Sequence, residues 1–352
     1  MTTRQWKYAH AIAETGSRAV AGLIAIVVSG WLTACTGGND GGADGEKIYR
    51  IAVVPKGTSH VFWKSVHAGA LEGAREAEKE FGTKVEIRWQ GPLVEDQREA
   101  QRQVLDSFTA SNVDGIVFAP IDDHAMVGPV NSAMEAGKPV VIIDSGLNGD
   151  NYVSFVATDN YKGGVLAGER LGELLGGKGK ALLLRYQVGS ASTTKREQGF
   201  IDTIKSKFPD IELVPPGLEQ YAGATTGQAQ NAAETLLNTY TDVGGIFCPN
   251  ESSCSGMLAA LLKSGRAGSI KFVGFDASEG LVEGLEKGHL DGLILQSPVR
   301  MGRLGVHTLI QHLEDKQVDD RIDTGVFLVT RENKNTPEFQ ALLSPDLSIL
   351  DE

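Results

Sequence analysis

The sequence predicts an α/β fold with two doubly wound, parallel-sheet lobes that are joined by a three-strand hinge. From Ile48 onward, short β-rich runs alternate with amphipathic helical segments, which is typical of a parallel sheet covered on both faces. The alternation continues through two successive halves, so each half can form a sheet of its own. A length of 352 residues is also sufficient for two domains.

The first half alternates regularly between the two types of segment. Phe62, Val66 and Ala70 recur at helical spacing and give the first helix one apolar face. The predicted strands are Tyr49–Pro55, Lys84–Trp89, Gly115–Ala119, Val140–Asp144 and Val153–Ala157. The predicted helices are His60–Phe81, Glu95–Ser111 and Asp122–Ala136.

The second half repeats the pattern. Its predicted strands are Lys180–Arg185, Ile211–Val214, Gly245–Cys248, Lys271–Phe275, Gly292–Leu295 and Gly325–Val329. Its predicted helices lie near 160–176, 194–207, 224–239, 252–264, 278–287 and 298–315. We therefore expect one lobe from 48–158 plus 297–326 and the other from 159–296 plus 327–340. The polar, proline-punctuated chain after Arg331 should pack loosely, above all the tail 341–352.

Charge and motifs exclude several classes of function. A net charge of −12 argues against nucleic acid and against polybasic docking on anionic lipid. The sequence has no HExxH, CxxC, GxSxG or strand-linked GxGxxG motif, and its seven histidines are scattered. We therefore expect no metal, no cofactor and no enzymatic activity.

The N-terminus has the features of an export signal. Arg4, Lys7 and Arg18 precede an apolar stretch, Ala19–Trp31, which is too short for a spanning helix. The segment Leu32–Cys35 then resembles the lipobox of bacterial lipoproteins, a family in which the chain is cut before the Cys and its thiol is lipidated. Residues 1–34 would then be a signal peptide. The alternatives are an ordinary signal peptide that contains a Cys, or a buried helix.

The segment after Cys35 is predicted to be a tether. Residues 36–45 contain five glycines and no apolar periodicity, so the lipidated Cys and the chain through Lys47 should form a flexible connection. The other two cysteines, Cys248 and Cys254, are six residues apart. In an oxidising compartment they can form a short disulfide, but two small, partly buried thiols are the preferred interpretation.

Polar and aromatic side chains cluster at predicted strand ends. Ligands of doubly wound sheets bind beyond the carboxyl ends of the strands, and two facing lobes would enclose a cleft there. Carboxylates, amides and Arg bind hydroxyls well, and no nucleophile with its base is among them. Taken singly, Asp144 and Asp276 can instead be helix N-caps, and Phe62 and Trp63 can be core residues. The candidate binding residues are His60, Phe62, Trp63, Asp144, Ser145, Arg196, Tyr221, Asn250, Phe275, Asp276 and Gln296.

An ordered set of short motifs resembles the periplasmic sugar-binding proteins of ABC transporters, closest to the ribose-binding type. The set extends over roughly residues 48–330 in the family's order. It comprises Phe62-Trp63-x5-Gly69, Pro139-Val-Val-Ile-Ile-Asp144, Thr158-Asp159-Asn160-x2-Gly163-Gly164, Arg196-x2-Gly199-Phe200, Cys248-Pro-Asn250-Glu251, Val273-Gly274-Phe275-Asp276 and Leu295-Gln296.

The resemblance implies a role for each candidate. Phe62 and Trp63 would stack on a sugar, Asp144 would bind its hydroxyls, and Arg196 would reach in from the second lobe. Tyr221 matches an aromatic of the family's site, and the remaining strand-end residues complete the shell. The hinge would consist of Thr158, Asp159, Gln296, Ser297, Val326 and Phe327.

Three positions depart from the ribose-binding pattern. The ribose type has Asn at the position of His60, Arg at that of Ser145, and Asn at that of Ala119. A site built to hydrogen-bond hydroxyls is selective for their pattern, so a larger or differently substituted sugar than ribose is expected.

The sequence therefore predicts a lipid-anchored, extracytoplasmic solute-binding protein. It would capture a pentose- or hexose-like sugar between its lobes, as a monomer, and deliver it to an ABC permease by hinge closure. The alternative is a receptor of the same fold that signals to a membrane sensor or chemoreceptor. The sequence does not distinguish the two, because both would use the same outer faces.

Overall fold

The computed structural model describes residues 47–217 and 219–352. The predicted signal peptide 1–34, Cys35 and the tether up to residue 46 lie outside the described residues. No helix in the described ranges is both long enough and apolar enough to span a membrane.

The described chain alternates strands and helices almost throughout. Its strands are β1 (Ile48–Val54), β2 (Lys84–Trp89), β3 (Gly115–Phe118), β4 (Val140–Ile143), β5 (Ser154–Ala157), β6 (Lys178–Leu183), β7 (Asp210–Val214), β8 (Gly245–Phe247), β9 (Lys271–Phe275), β10 (Gly292–Gln296), β11 (Arg321–Asp323) and β12 (Val326–Val329). Its helices are α1 (Val61–Phe81), α2 (Arg98–Thr109), α3 (Val127–Glu135), α4 (Asn160–Leu174), α5 (Ala191–Lys207), α6 (Thr226–Thr239), α7 (Glu251–Lys263), α8 (Glu279–Lys287), α9 (Pro298–Leu313) and α10 (Pro337–Leu343), with a 3₁₀ turn at Ser348–Asp351.

Two six-stranded sheets form the two lobes, which confirms the predicted fold class. The first sheet has the order β11-β5-β4-β3-β1-β2 and is parallel throughout. The second has the order β12-β10-β9-β8-β6-β7, in which only β12 runs antiparallel to its neighbour. Every predicted strand is present, and β11 is an additional one that the sequence reasoning missed.

Close helix pairs support each lobe at glycines. A Cβ on Gly69 of α1 would lie 1.9 Å from the carbonyl oxygen of Val299 in α9, so only glycine permits this approach. A Cβ on Gly164 of α4 would likewise lie 1.9 Å from the carbonyl oxygen of Arg196 in α5. The second contact matters for function because it fixes the helix that carries Arg196.

The chain crosses between the lobes three times. The first crossing follows β5 at Thr158 and Asp159, and the second follows β10 at Ser297. The third lies at Thr324 and Gly325, between β11 of the first sheet and β12 of the second. The predicted third hinge pair, Val326 and Phe327, instead forms the start of β12. The first and third crossings touch, since the Thr158 hydroxyl donates to the Gly325 carbonyl oxygen at 2.8 Å.

The C-terminal tail differs from its prediction. Instead of packing loosely, residues 337–343 form α10, and Leu343 is buried against the core of the second lobe. Phe339 also contacts Phe327, with ring centroids 5.9 Å apart. A few well-placed apolar side chains therefore order a segment whose overall composition is polar.

Candidate functional site

A small buried cavity lies between the lobes, at the carboxyl ends of strands from both sheets. Its volume is about 20 Å³, enough for about one water molecule. Many charged groups border it, although its side chains are mostly buried. The residues that line it are Lys56, His60, Phe62, Trp63, Glu95, Asp144, Tyr186, Ser190, Ser192, Thr193, Arg196, Asn250, Glu251, Asp276 and Gln296.

Most of the predicted site residues meet at this cavity. Eight of the eleven line it: His60, Phe62, Trp63, Asp144, Arg196, Asn250, Asp276 and Gln296. The other three, Ser145, Phe275 and Tyr221, do not.

Ser145 and Phe275 lie directly behind the wall. The Ser145 hydroxyl oxygen accepts a hydrogen bond at 3.0 Å from the backbone N–H of Ser192, across the lobe boundary. The Phe275 ring lies under the Arg196 guanidinium, 3.8 Å from ring centroid to Cζ. Both residues therefore position groups that line the cavity.

Tyr221 does not line this cavity. It forms an isolated parallel bridge with Arg185, whose guanidinium lies 4.9 Å from the centre of the Tyr221 ring. The aromatic residue that the second lobe contributes is Tyr186, which is almost fully buried. Tyr186 follows β6, so the rule that ligands bind at strand ends points to it.

Asp144 is paired with a cation that the sequence reasoning did not identify. Lys56, two residues after β1, places Nζ 2.7 Å from Asp144 Oδ2, and both side chains are buried. Lys56 Nζ also donates to the Ser192 hydroxyl at 3.1 Å. One lysine thus joins the Asp144 carboxylate of the first lobe to α5 of the second.

Arg196 and Asp276 form the second-lobe half of the site. Arg196 donates from Nε to Asn160 Oδ1 at 2.8 Å and from Nη1 to the carbonyl oxygen of Pro249 at 3.0 Å. Its Nη1 lies 3.9 Å from Asp276 Oδ2, and Asp276 Oδ1 accepts from Gln296 Nε2 at 2.8 Å. Burial raises the pKa of Asp276, while the charge of Arg196 opposes that rise.

The strand-end aspartates are not helix caps. Asp144 and Asp276 have φ values of 61° and 68°, in the left-handed region that Asp tolerates better than most residues. The cap of α8 is Ser278, and no helix begins directly after Asp144. Backbone strain of this kind concentrates at functional sites, so the two turns favour the binding interpretation.

Asn250 has a structural task as well as a place in the wall. It is the N-cap of α7, and its side-chain oxygen accepts from the backbone N–H of Ser253 within a capping box. The next residue, Glu251, accepts a hydrogen bond from the backbone N–H of Phe62 at 3.1 Å, across the lobe boundary. Burial raises the pKa of Glu251.

Glu95 has side-chain partners in both lobes. It lies in the segment between β2 and α2 and is 6% exposed. Its Oε1 is 2.9 Å from His60 Nδ1 and accepts from Trp63 Nε1 at 2.8 Å. Its Oε2 accepts from the Tyr186 hydroxyl of the second lobe at 3.1 Å. The sequence reasoning placed Glu95 at a helix start, whereas α2 begins at Arg98.

Three buried polar atoms of the wall remain without a hydrogen-bond or ion-pair partner in the described ranges. They are Ser190 Oγ, Arg196 Nη2 and Gln296 Oε1. Leaving a buried donor or acceptor unpaired is costly, roughly 1–3 kcal/mol each. Together they offer one donor, one acceptor and one hydroxyl that can do either.

The described residues also include two groups that could carry other chemistry. Cys248 and Cys254 are free and buried, and the Cys254 thiol donates to the carbonyl oxygen of Cys248 at 3.3 Å. Asp122, Asp123 and His124 have ligand atoms within 4.8 Å of one another but do not line the cavity. Neither group contributes to the interlobe site.

Six wall residues escaped the sequence reasoning: Lys56, Glu95, Tyr186, Ser190, Ser192 and Thr193. A seventh, Glu251, belonged to a quoted motif but was not among the candidate binding residues. Lys56 and Tyr186 follow strands and could have been found by that rule. Glu95, Ser192 and Thr193 carry no comparable signal, because ordinary helix starts are rich in such residues.

Comparisons with known proteins agree on one family. The protein-family model described as "Periplasmic binding protein domain" matches residues 51–317 of this chain. An ABC transporter solute-binding protein from Agrobacterium vitis, solved with bound D-fucose, is 34% identical, with coverage of 84% of this chain and 100% of that one and a TM-score of 0.78. A carbohydrate transporter solute-binding protein from Agrobacterium radiobacter, in complex with D-arabinose, is 28% identical, with coverage of 84% and 99% and a TM-score of 0.78.

A curated relative extends the comparison. The D-ribose/D-allose-binding protein of Pseudomonas aeruginosa is 27% identical over 291 residues, which are 80% of this chain and 88% of that protein.

Proposed function

Because the chain belongs to the periplasmic binding protein domain family, and to its ribose-binding-like type I group, we propose that it captures a sugar between its lobes and delivers it to an ABC importer. The family of ABC importer binding proteins implies a periplasmic location. We further propose that the protein is a monomer held at the membrane by lipid on Cys35. The relatives bind D-fucose, D-arabinose, D-ribose or D-allose, all of them neutral monosaccharides.

The observation that carries the proposal is the set of unpartnered polar atoms in the cavity wall. Ser190 Oγ, Arg196 Nη2 and Gln296 Oε1 are buried between the lobes and have no hydrogen-bond partner within the described residues. Sugar hydroxyls both donate and accept, so they can satisfy all three. The edge-on pair of Phe62 and Trp63, with ring centroids 4.9 Å apart, supplies apolar surface for the faces of a sugar ring.

The charges in the wall disfavour an anionic ligand. Lys56 pairs with Asp144, His60 pairs with Glu95, and Arg196 lies beside Asp276. A ligand carboxylate would find no unpaired cation among these pairs, and the wall also holds the carboxyl group of Glu251. Its desolvation would therefore go largely uncompensated.

Binding requires the lobes to open and close. A 20 Å³ cavity has room for about one water, so the lobes must separate at the three crossings for a sugar to enter, and the cleft around a bound sugar must be wider than in this structure. A ligand drives closure only by binding the closed form better than the open one. The three unpartnered atoms provide such a preference, since they lie at the N-cap of α5, in α5 and in β10, on the lobe opposite Asp144 and Trp63.

A thermal-shift screen tests the proposal. The panel contains D-fucose, D-arabinose, D-ribose, D-allose, the acid D-glucuronate and a few amino acids. A neutral sugar at about 100 times its Kd should stabilise the protein by about 2.7 kcal/mol and raise Tm by several degrees. D-glucuronate should produce no shift. If only an amino acid produces a shift, or if no compound does, sugar capture is the wrong function.

A further inference from the structure

The strongest unassigned feature is the way in which Glu95 bridges the lobes. Its two carboxylate oxygens are divided between them: Oε1 contacts His60 and Trp63 of the first lobe, and Oε2 contacts Tyr186 of the second. The backbone of Glu95 makes a second contact between the lobes, because Gln187 Nε2 donates to the Glu95 carbonyl oxygen at 3.0 Å. Tyr186 and Gln187 of the second lobe thus bind the side chain and the backbone of Glu95 in the first lobe.

The first-lobe contacts hold Glu95 in place whether or not the lobes meet. His60 precedes α1, Trp63 lies in its first turn, and Trp63 is only 1% exposed. Burial alone would lower the pKa of His60, but the hydrogen bond and charge of Glu95 raise it to about 9. The same hydrogen bond and charge from His60, with the charge of Lys56, outweigh burial and lower the pKa of Glu95 to about 2. In the closed arrangement the carboxylate is therefore ionised, and its contacts with His60 and Trp63 lie within the first lobe.

The second-lobe contact depends on closure. Tyr186 lies beyond β6, on the other side of the lobe boundary, so its hydroxyl reaches Glu95 only when the lobes come together. Burial raises the pKa of Tyr186 well above its ordinary value, so the hydroxyl remains a proton donor. A hydroxyl that donates to a carboxylate forms a stronger hydrogen bond than two neutral groups do.

We propose that Glu95 is a closure latch: it holds Trp63 against the ligand position on the first lobe and captures the Tyr186 hydroxyl when the second lobe closes. This inference rests on the proposed function and adds to it a positioning residue that sets how long the closed form lasts. Glu95 acts through Trp63 and Tyr186, and its partner His60 stands where the ribose-binding type has Asn.

The latch predicts a specific kinetic signature. The Tyr186 bond is absent in the open form, so removing it should leave association nearly unchanged and speed dissociation. Loss of a hydrogen bond to a charged group corresponds to roughly tenfold or more in affinity. Tyr186→Phe removes the hydroxyl and keeps the ring, which makes it the appropriate variant.

The chain offers a matched control. The Tyr161 hydroxyl donates to Asp202 Oδ2 at 3.1 Å, which is the same kind of bond at the same distance. Tyr161 and Asp202 lie on α4 and α5, so this bond stays within the second lobe. Tyr161→Phe should therefore leave both rate constants as in the wild type.

Stopped-flow tryptophan fluorescence with D-fucose, D-arabinose, D-ribose and D-allose gives both rate constants for each sugar that binds. We expect Tyr186→Phe to raise koff about tenfold or more and to change kon by less than about threefold. A koff for Tyr186→Phe equal to that of Tyr161→Phe, or a loss confined to kon, overturns the latch.

Failure of the sugar proposal would be distinguishable from failure of the latch. If no sugar in the panel binds the wild type, the proposed function is wrong, and the latch is then judged on the ligand-free protein by small-angle X-ray scattering. A larger radius of gyration for Tyr186→Phe than for both the wild type and Tyr161→Phe supports the latch. Equal radii for all three proteins overturn it.

Discussion

Raising the pH should lower the free energy of unfolding, because His60 loses its proton. Its pKa rises from 6.5 to about 9 in the folded protein, because the hydrogen bond and charge of Glu95 outweigh the effect of burial. The folded state therefore binds this proton more tightly than the unfolded chain does. The contribution is fully present below pH 6.5 and is lost as the pH rises through about 9. At about 1.4 kcal/mol per pH unit, it amounts to about 3 kcal/mol.

Other groups face His60 and must be separated from it. Glu251 and Asp276 also raise its pKa through their charges, and Glu95 and Tyr186 belong to the same cluster. The pKa of Glu95 is lowered mainly by the same ion pair with His60, so it adds no second contribution to the free energy of unfolding in this pH range. A comparison with His60→Asn, which cannot take up the proton, isolates the histidine from every other titrating group.

Urea denaturation at about pH 6 and about pH 10 measures the effect. The free energy of unfolding of the wild type should exceed that of His60→Asn by about 3 kcal/mol more at the lower pH than at the higher. If the difference between the two proteins is the same at both pH values, His60 does not carry a shifted proton, and the ion pair with Glu95 is not formed in solution.

Three further predictions concern the site, the anchor and the scaffold. Asp144→Ala and Arg196→Ala should each weaken sugar binding by about 2–4 kcal/mol in calorimetry, and normal binding by both would mean that the site lies elsewhere. Cys35→Ala should leave binding intact but release the protein from membranes on fractionation; retention would argue against a lipid anchor. Gly164→Ala should lower the free energy of unfolding by about 1–3 kcal/mol, because its Cβ meets a backbone oxygen at 1.9 Å. Gly128→Ala, whose Cβ has nothing within 4 Å, should cause no such loss in the same denaturation assay.

The regular part of the fold could be predicted because its signals are local. Buried parallel strands such as β3 and β4 consist of apolar runs of four residues. In the helices between the strands, apolar residues instead recur every three or four positions. β11 escaped because a three-residue run of Arg, Ile and Asp carries no such pattern. The third crossing, which follows β11, lies two residues before the predicted hinge pair. The helix at 337–343 escaped for another reason: it depends on packing against a distant core, which composition does not reveal.

Part of the site could be predicted because the position of a residue at a strand end implied a role in binding. Asp144, Asp276 and Gln296 lie directly at strand ends, and topology brings such ends together. Glu95 lies six residues beyond β2, so only the fold shows that it reaches Tyr186. Tyr221 was proposed on resemblance, whereas Tyr186, which follows β6, was not considered.

A ligand that enters the cleft must compete with the hydrogen bonds that the two lobes make to each other. Bonds such as Lys56 to Ser192 and Tyr186 to Glu95 already stabilise the closed arrangement without help from a sugar. A sugar that separates these groups loses part of that energy and must recover it elsewhere. The recovery can come from the buried atoms that have no partner, on Arg196, Ser190 and Gln296. Selectivity among neutral sugars should therefore depend on hydroxyls that reach these three atoms while leaving the Glu95 latch closed.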